Sequence, residues 1–274
     1  MASGGVVVVG GGNSAIDAAR VALRQKAVES VTVIYRRTRN EMPAYEEEIE
    51  AAIEEGIEIQ TLVSPMRILS QNGRITAVEC IRNELGEIDS SGRRRPVPVS
   101  GTEHTIPADT LIVAVGEQPD TSGISSMGLE ISKWGTLHAD PDTLSTNLPG
   151  VFAGGDVVSG SNTVIDAIAA GKKVASVIDR YLHGEKLKQP YEACLPRVYI
   201  EPTAISVEEA DQAERVRPPS LPVESRRHSF SEVDISLSSE EAAQEAKRCL
   251  RCDLEFTQPK EEKMEEAATG VKTT

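Results

Sequence analysis

The hydrophobic and polar positions change rhythm several times along the chain. Residues 6–9 are an unbroken valine run, the pattern of a strand covered on both faces of a parallel sheet. It runs into Gly10-Gly11-Gly12, after which Ala15, Ile16, Ala19, Ala22 and Leu23 recur at three- and four-residue spacing. That spacing puts one apolar stripe on a helix over residues 14–26. A second strand is predicted at 31–35 (VTVIY), a second helix at 45–55 closed by Gly56, and a third strand at 57–63. From Met66 the rhythm becomes antiparallel: residues 67–70 and 74–82 flank Asn72-Gly73, a pair suited to the positive-φ positions of a tight hairpin. A polar turn at 89–92 leads to Val97, Val99 and Ile106, completing a small β-meander inserted before another parallel run at 111–115. A helix is expected from about Thr163 to Leu182.

Beyond Gly184 the periodicity fades. Pro190, Pro196, Pro202, Pro218, Pro219 and Pro222 predict an extended arm with one late helix, which starts where Ser238 and Glu241 stand in capping-box spacing. Residues 261–274 are charged and small, and are expected to form a disordered tail. The predicted divisions are 1–118, 119–185 and 186–274. The fold class expected is α/β: a Rossmann-like parallel sheet with an inserted antiparallel meander and an extended C-terminal arm.

Composition narrows the function. Among 274 residues, 29 Lys and Arg stand against 43 Asp and Glu, a net charge of −14, which argues against a broad nucleic-acid surface. No apolar run approaches the roughly 20 residues that span a bilayer, and the start carries no secretory pattern. Four cysteines (Cys80, Cys194, Cys249, Cys252) are too few for a disulfide framework, so a cytoplasmic protein is expected.

The first chemistry lies at the first turn. Strand, Gly10-Gly11-Gly12-Asn13-Ser14-Ala15, helix is GxGxxA in the context a dinucleotide requires. Gly10 makes the turn, Gly12 admits a pyrophosphate, Ala15 permits close packing, and the helix start at Asn13 and Ser14 offers amides to phosphate. The second strand ends in Tyr35-Arg36-Arg37, with no carboxylate where an NAD site holds its ribose. Arg36 and Arg37 therefore point to NADP(H), because guanidinium meets a phosphate through paired hydrogen bonds. The bland reading of both is solvated surface arginine.

Several stretches together resemble the pyridine-nucleotide half of the glutamate synthase small-subunit-like flavoproteins: VVVVGGGNSAIDAAR (6–20), YRRTRNEMPAYEEEIEAAIEEG (35–56), TLIVAVGEQPD (110–120), VFAGGDVVSGSNTVIDAIAAGKKVA (151–175) and EEAAQEAKRCLRCD (240–253). The resemblance implies a FAD-dependent NAD(P)H oxidoreductase, in which hydride moves between NADP(H) and FAD and electrons pass on to iron–sulfur clusters. It implies that Gly155 and Asp156 meet the flavin's ribityl chain, that Thr163 and Val164 open a helix facing the isoalloxazine, and that Gly116 lies in a linking turn near both nucleotides. The family's first FAD motif, another GxGxxG, has no counterpart here, so the chain reads as a fragment needing an N-terminal FAD and iron–sulfur region or a partner electron-transfer subunit.

Cys249 and Cys252 stand in CxxC spacing, which serves a metal, a cluster or a redox dithiol. The resemblance implies half of a 4Fe-4S site, completed by ligands outside this chain; unliganded thiols, zinc and a dithiol stay open. The rival functions are a glutamate synthase (NADPH) small subunit and, from another class, a non-catalytic NADP(H)-binding module. No catalytic acid–base residue is assigned, since hydride transfer needs positioning more than proton transfer.

Overall fold

Strand β1 (Gly4–Val9) explains why four valines run together. Side chains alternate across a strand, so Val6 and Val8 enter one core with α1 (Asn13–Leu23) and α2 (Glu46–Glu54). Val7 and Val9 enter a second core on the opposite face, with Ile34, Val63, Val78, Cys80 and Ile106. Each fully buried valine contributes about 1.5–3 kcal/mol, so both faces of one short strand stabilise the fold.

A computed structural model describes residues 1–89, 92–188, 195, 198–201, 206, 208 and 213–257. Pro190, Pro196, Pro202, Cys194, the tip of the turn at 89–92 and the tail over 261–274 lie outside the described residues. The chain divides into two compact units, Met1–Lys188 with Leu221–Val233, and Gln189–Ser220 with Asp234–Thr274.

In the first unit, β2 (Val28–Tyr35), β3 (Glu58–Thr61) and β8 (Thr110–Val113) join β1 in a four-stranded parallel sheet, order β3-β2-β1-β8. Val8 stands opposite Val33 on one side and Ile112 on the other. Between β3 and β8 come the antiparallel strands β4 (Val63–Gln71), β5 (Arg74–Ile88), β6 (Arg94–Pro98) and β7 (His104–Pro107), with β5 pairing all three others. Asn72 and Gly73 take φ of 52° and 75°, the conformation that their hairpin demands. This is the expected α/β architecture with its inserted meander.

After two short turns, α3 (Ser122–Ser125) and α4 (Asp156–Ser159), the long helix α5 (Val164–Leu182) begins. The Thr163 side chain caps it, accepting a hydrogen bond from the Asp166 amide. Among the described residues, the arm holds two short helices besides the expected one: α6 (Val223–Arg227) and α8 (Leu254–Thr257) flank α7 (Ser239–Ala246). Five and four residues are too few to register as a periodic pattern. Ser238 and Glu241 form the expected capping box.

Segment Leu221–Val233 is pinned to the sheet domain by a buried ion cluster. Glu55, at the end of α2, is fully buried and pairs with Arg20 at 2.8 Å and Arg24 at 2.9 Å. Arg226 reaches Glu55 at 3.4 Å and bonds Glu54, while Arg24 donates to the Ser229 carbonyl at 3.1 Å. Burial alone would raise the Glu55 pKa, but hydrogen bonds and charge from Arg20 and Arg24 outweigh it and hold the carboxyl below its ordinary value. Of residues 46–48, read from sequence as a solvated acidic face, Glu48 joins the cluster by bonding Arg20, while Glu46 makes a separate, exposed pair with Arg39 at 2.5 Å.

Candidate functional site

A cleft of about 940 Å³ opens over the carboxyl ends of β1, β2 and β8. Its floor is the turn from β1 into α1. Gly10 sits at φ +151°, and a Cβ there would lie 2.3 Å from the Ala114 carbonyl oxygen and 3.0 Å from the Ala15 methyl. A Cβ on Gly11 would strike the Tyr35 ring at 2.5 Å. These two glycines are demanded by the protein's own packing. Gly12 differs, since the nearest atom to its added Cβ would be Pro43 Cγ at 3.8 Å. Its smallness leaves room on the cleft side, as close approach of a ligand backbone requires.

Helix α1 starts on this floor with Gly12 as its N-cap, and the first-turn amides of an α-helix have no intrahelical acceptor. Ser14 lines the cleft, whereas Ala15 is buried beneath it. Asn13 does not line the cleft. Its side-chain oxygen accepts from the Tyr45 amide at 2.9 Å, and the Gly11 carbonyl accepts from Ala44 at 3.1 Å. These bonds place Pro43 on the rim and the start of α2 beside the turn.

The two arginines after β2 separate in role. Arg36 is exposed on the cleft wall. Arg37 is only 3% exposed, and donates to the Arg94 carbonyl and the Asp89 carboxylate, each at 2.7 Å. It ties the meander to the parallel sheet. Sequence reasoning treated the pair as equivalent, because the strand's alternation ends at Tyr35. It also did not single out Tyr35, Pro43, Ser64 or Arg93 on the wall; these come together only through tertiary contacts.

On the opposite wall stand Gly116, Glu117, Asp156, Ser161 and Asn162. Gly116 takes φ +97° and Gly155 φ +73°, so both turns use conformations that favour glycine. The Ser161 hydroxyl donates to the Glu117 carbonyl at 3.0 Å, joining the two turns. Gly155, Thr163 and Val164 do not line the cleft, and Val164 is 74% exposed. The cleft thus brings together Gly10, Gly12, Ser14, Arg36, Arg37, Gly116 and Asp156 from the expected set.

Cys249 and Cys252 belong to the second unit, where both are exposed and unpaired. Arg251 between them takes φ +52°, held by bonds to the Asp253 carboxylate at 2.9 Å and the Ile200 carbonyl at 2.5 Å. Among the described residues, no three His, Cys, Asp or Glu side chains are grouped to hold a metal ion. Two thiols alone do not complete a four-iron site. Cys80 is buried in the second core, and burial with the Glu79 charge raises its pKa to about 11, making it inert. No helix among the described residues is long and apolar enough to cross a membrane.

The pyridine nucleotide-disulphide oxidoreductase family matches residues 2–171. The chain is 43% identical over 255 residues to the NADP(+)-dependent formate dehydrogenase subunit beta of Moorella thermoacetica, covering 90% of this chain and 35% of that one. It is 40% identical over 275 residues to the NADPH-Fe(3+) oxidoreductase subunit beta of Geobacter sulfurreducens, covering 90% and 41%. With the glutamate synthase [NADPH] small chain of Escherichia coli it shares 40% over 182 residues, 65% of this chain and 38% of that one. The chain therefore spans well under half the length of these relatives. Thioredoxin reductase of T. acidophilum shares the fold at TM-score 0.52, with 24% identity, over 66% of this chain and 52% of that one. The strand–glycine–helix cradle, the inserted meander and the family match lead to one conclusion: the chain belongs to the pyridine nucleotide-disulphide oxidoreductase family.

Proposed function

We propose that this chain is the NADP(H)-binding part, with part of the FAD site, of a flavin-dependent oxidoreductase. One observation carries the reading: a single cleft holds the Gly10–Ser14 turn and Arg36 on one side and Asp156 on the other. The pyrophosphate of NADP(H) would lie over Gly12 at the start of α1, and the 2′-phosphate against Arg36. Asp156 and the Gly116 turn would meet FAD, which when bound supplies the hydride acceptor or donor. The protein's part is to orient the two nucleotides face to face and keep water from between them.

The remaining FAD contacts would come from a further region of the parent polypeptide or from a partner subunit. Helix α5 supports this: Val164, Ile168 and Leu182 are 74%, 50% and 75% exposed on a helix that otherwise packs under the Gly154 turn. Cys249 and Cys252 would contribute half of a 4Fe-4S site completed from the same source, carrying electrons onward. Free thiols at Cys80, Cys249 and Cys252 fit a reducing, cytoplasmic setting.

The test is nucleotide binding and turnover. Wild type is expected to prefer NADP⁺ over NAD⁺, and Arg36→Ala to cut that preference at least tenfold, about 1.4 kcal/mol. An unchanged ratio overturns the assignment. NADPH–dye oxidoreduction after adding FAD separates an oxidoreductase from a module that only binds nucleotide, for which the rate stays zero. A purified chain carrying stoichiometric flavin would contradict an incomplete FAD site.

A further inference from the structure

The bend after β2 sends Arg36 to the cleft wall and buries Arg37, and two consecutive peptides are held there by other parts of the chain. The Leu62 amide donates to the Arg37 carbonyl at 2.9 Å, and the Asn83 side-chain nitrogen donates to the Arg36 carbonyl at 3.1 Å. Asn83 lies on β5, and its own amide donates to the Leu62 carbonyl at 2.7 Å. The three bonds close a ring through the β2 bend, the turn before β4 and the meander. Leu62 takes φ +58° in that ring, a conformation uncommon outside glycine.

Asn83 is 4% exposed, and the two ends of its amide are treated differently. Nδ2 donates a second time, to the Ser64 hydroxyl at 2.8 Å, whereas Oδ1 is buried with no donor among the described residues. A carbonyl only accepts, so the atom facing Arg36 is the nitrogen; turning the amide over would set two acceptors against each other. An apolar side chain of similar size would leave no orphaned oxygen. The asparagine is therefore explained by its nitrogen and not by packing.

Resting on the NADP(H) reading, we infer that Asn83 is a positioning residue for nucleotide choice, acting through the main chain of Arg36. The peptide unit is planar, so holding the Arg36 carbonyl fixes the whole plane between Arg36 and Arg37. It thereby sets the direction in which the Arg36 side chain leaves the chain. That guanidinium makes no hydrogen bond or ion pair with another described residue, so it is free to take a phosphate. A long side chain gives up rotamer freedom when it grips a ligand. With its root already fixed, only the side-chain rotations remain to be ordered. NAD⁺ has no 2′-phosphate and draws nothing from this arrangement.

The test uses calorimetric binding of NADP⁺ and NAD⁺ to the full chain as wild type, Arg36→Ala, Asn83→Leu, Asn83→Ala and Arg36→Ala/Asn83→Leu. Asn83→Leu keeps the volume and removes the donor; Asn83→Ala is the second variant should the first fail to fold. Both nucleotides are titrated into one sample, so a reduced folded fraction cancels from the ratio. Either Asn83 change is expected to weaken NADP⁺ about fivefold and NAD⁺ by less than about twofold, the scale of one net hydrogen bond. In the Arg36→Ala background the same change should alter the ratio by less than about twofold. A merely structural Asn83 would weaken both nucleotides equally, leave both unchanged, or lower the ratio as much without Arg36 as with it. Each of those results overturns the inference while the NADP(H) reading stands. If Arg36→Ala leaves the ratio unchanged, the reading itself fails and takes the inference with it.

Discussion

The two walls of the cleft are built to different degrees. The nucleotide wall rests on β1, with Val8 fully buried between helices and neighbouring strands, and its turn is clamped by Asn13, Tyr35 and Ala114. The opposite wall has a correct local form, with a positive-φ glycine, an aspartate and a capped helix. Yet α5 buries only Val177 fully and leaves a stripe of Val164, Ile168, Ile178 and Leu182 exposed. Local conformation and burial are thus separable. A strand–turn–helix can take its final shape through caps and glycines before anything covers its outer face.

Mutations can break or sharpen this contrast. The largest effect is expected at Glu55, behind the nucleotide wall: Glu55→Ala leaves Arg20, Arg24 and Arg226 facing one another and should cost about 3–5 kcal/mol in urea unfolding. A loss below about 1 kcal/mol would show that the cluster does not anchor the domain. Because its carboxyl is held below the ordinary value, the extra stability is complete above the unfolded pKa, about 4.3, and is lost as pH falls through the folded value. Wild type should accordingly lose stability below about pH 4 more steeply than Glu55→Gln.

Next comes Gly10→Ala, which drives a methyl against the Ala114 carbonyl at a backbone angle unsuited to alanine. About 3 kcal/mol of stability should go, together with pyridine-nucleotide binding, followed by fluorescence of bound NADPH. Val8→Ala should cost about 2 kcal/mol. The smallest effect belongs to the other wall. Ile168→Ala, half exposed on α5, should change stability by less than about 0.5 kcal/mol in this chain. Where a further region or a partner subunit covers that face, the same change should cost several-fold more. Equal losses for Val8→Ala and Ile168→Ala would erase the distinction between the walls.

Most elements could be read in the sequence because their causes are local. The valine run specifies a strand with two covered faces, Asn72-Gly73 specifies its hairpin, and Gly56 at φ +92° ends α2. The glycine turn between β1 and α1 was legible for the same reason, whereas Asp156 was singled out only through the family resemblance. The division of labour between Arg36 and Arg37 was not, since it depends on Asp89 and Arg94, more than fifty residues away. The anchoring of Arg226 on Glu54 spans 172 positions. No periodicity within a helix or strand encodes such a distance.

That anchor bears on how the protein can be cut and recombined. The sheet domain looks separable at Lys188, where the first continuous stretch of its compact unit ends. A graft ending there would carry Arg20, Arg24 and Glu55 without Arg226 and the Leu221–Val233 return. A transplantable cassette is therefore discontinuous, made of Met1–Lys188 together with Leu221–Val233.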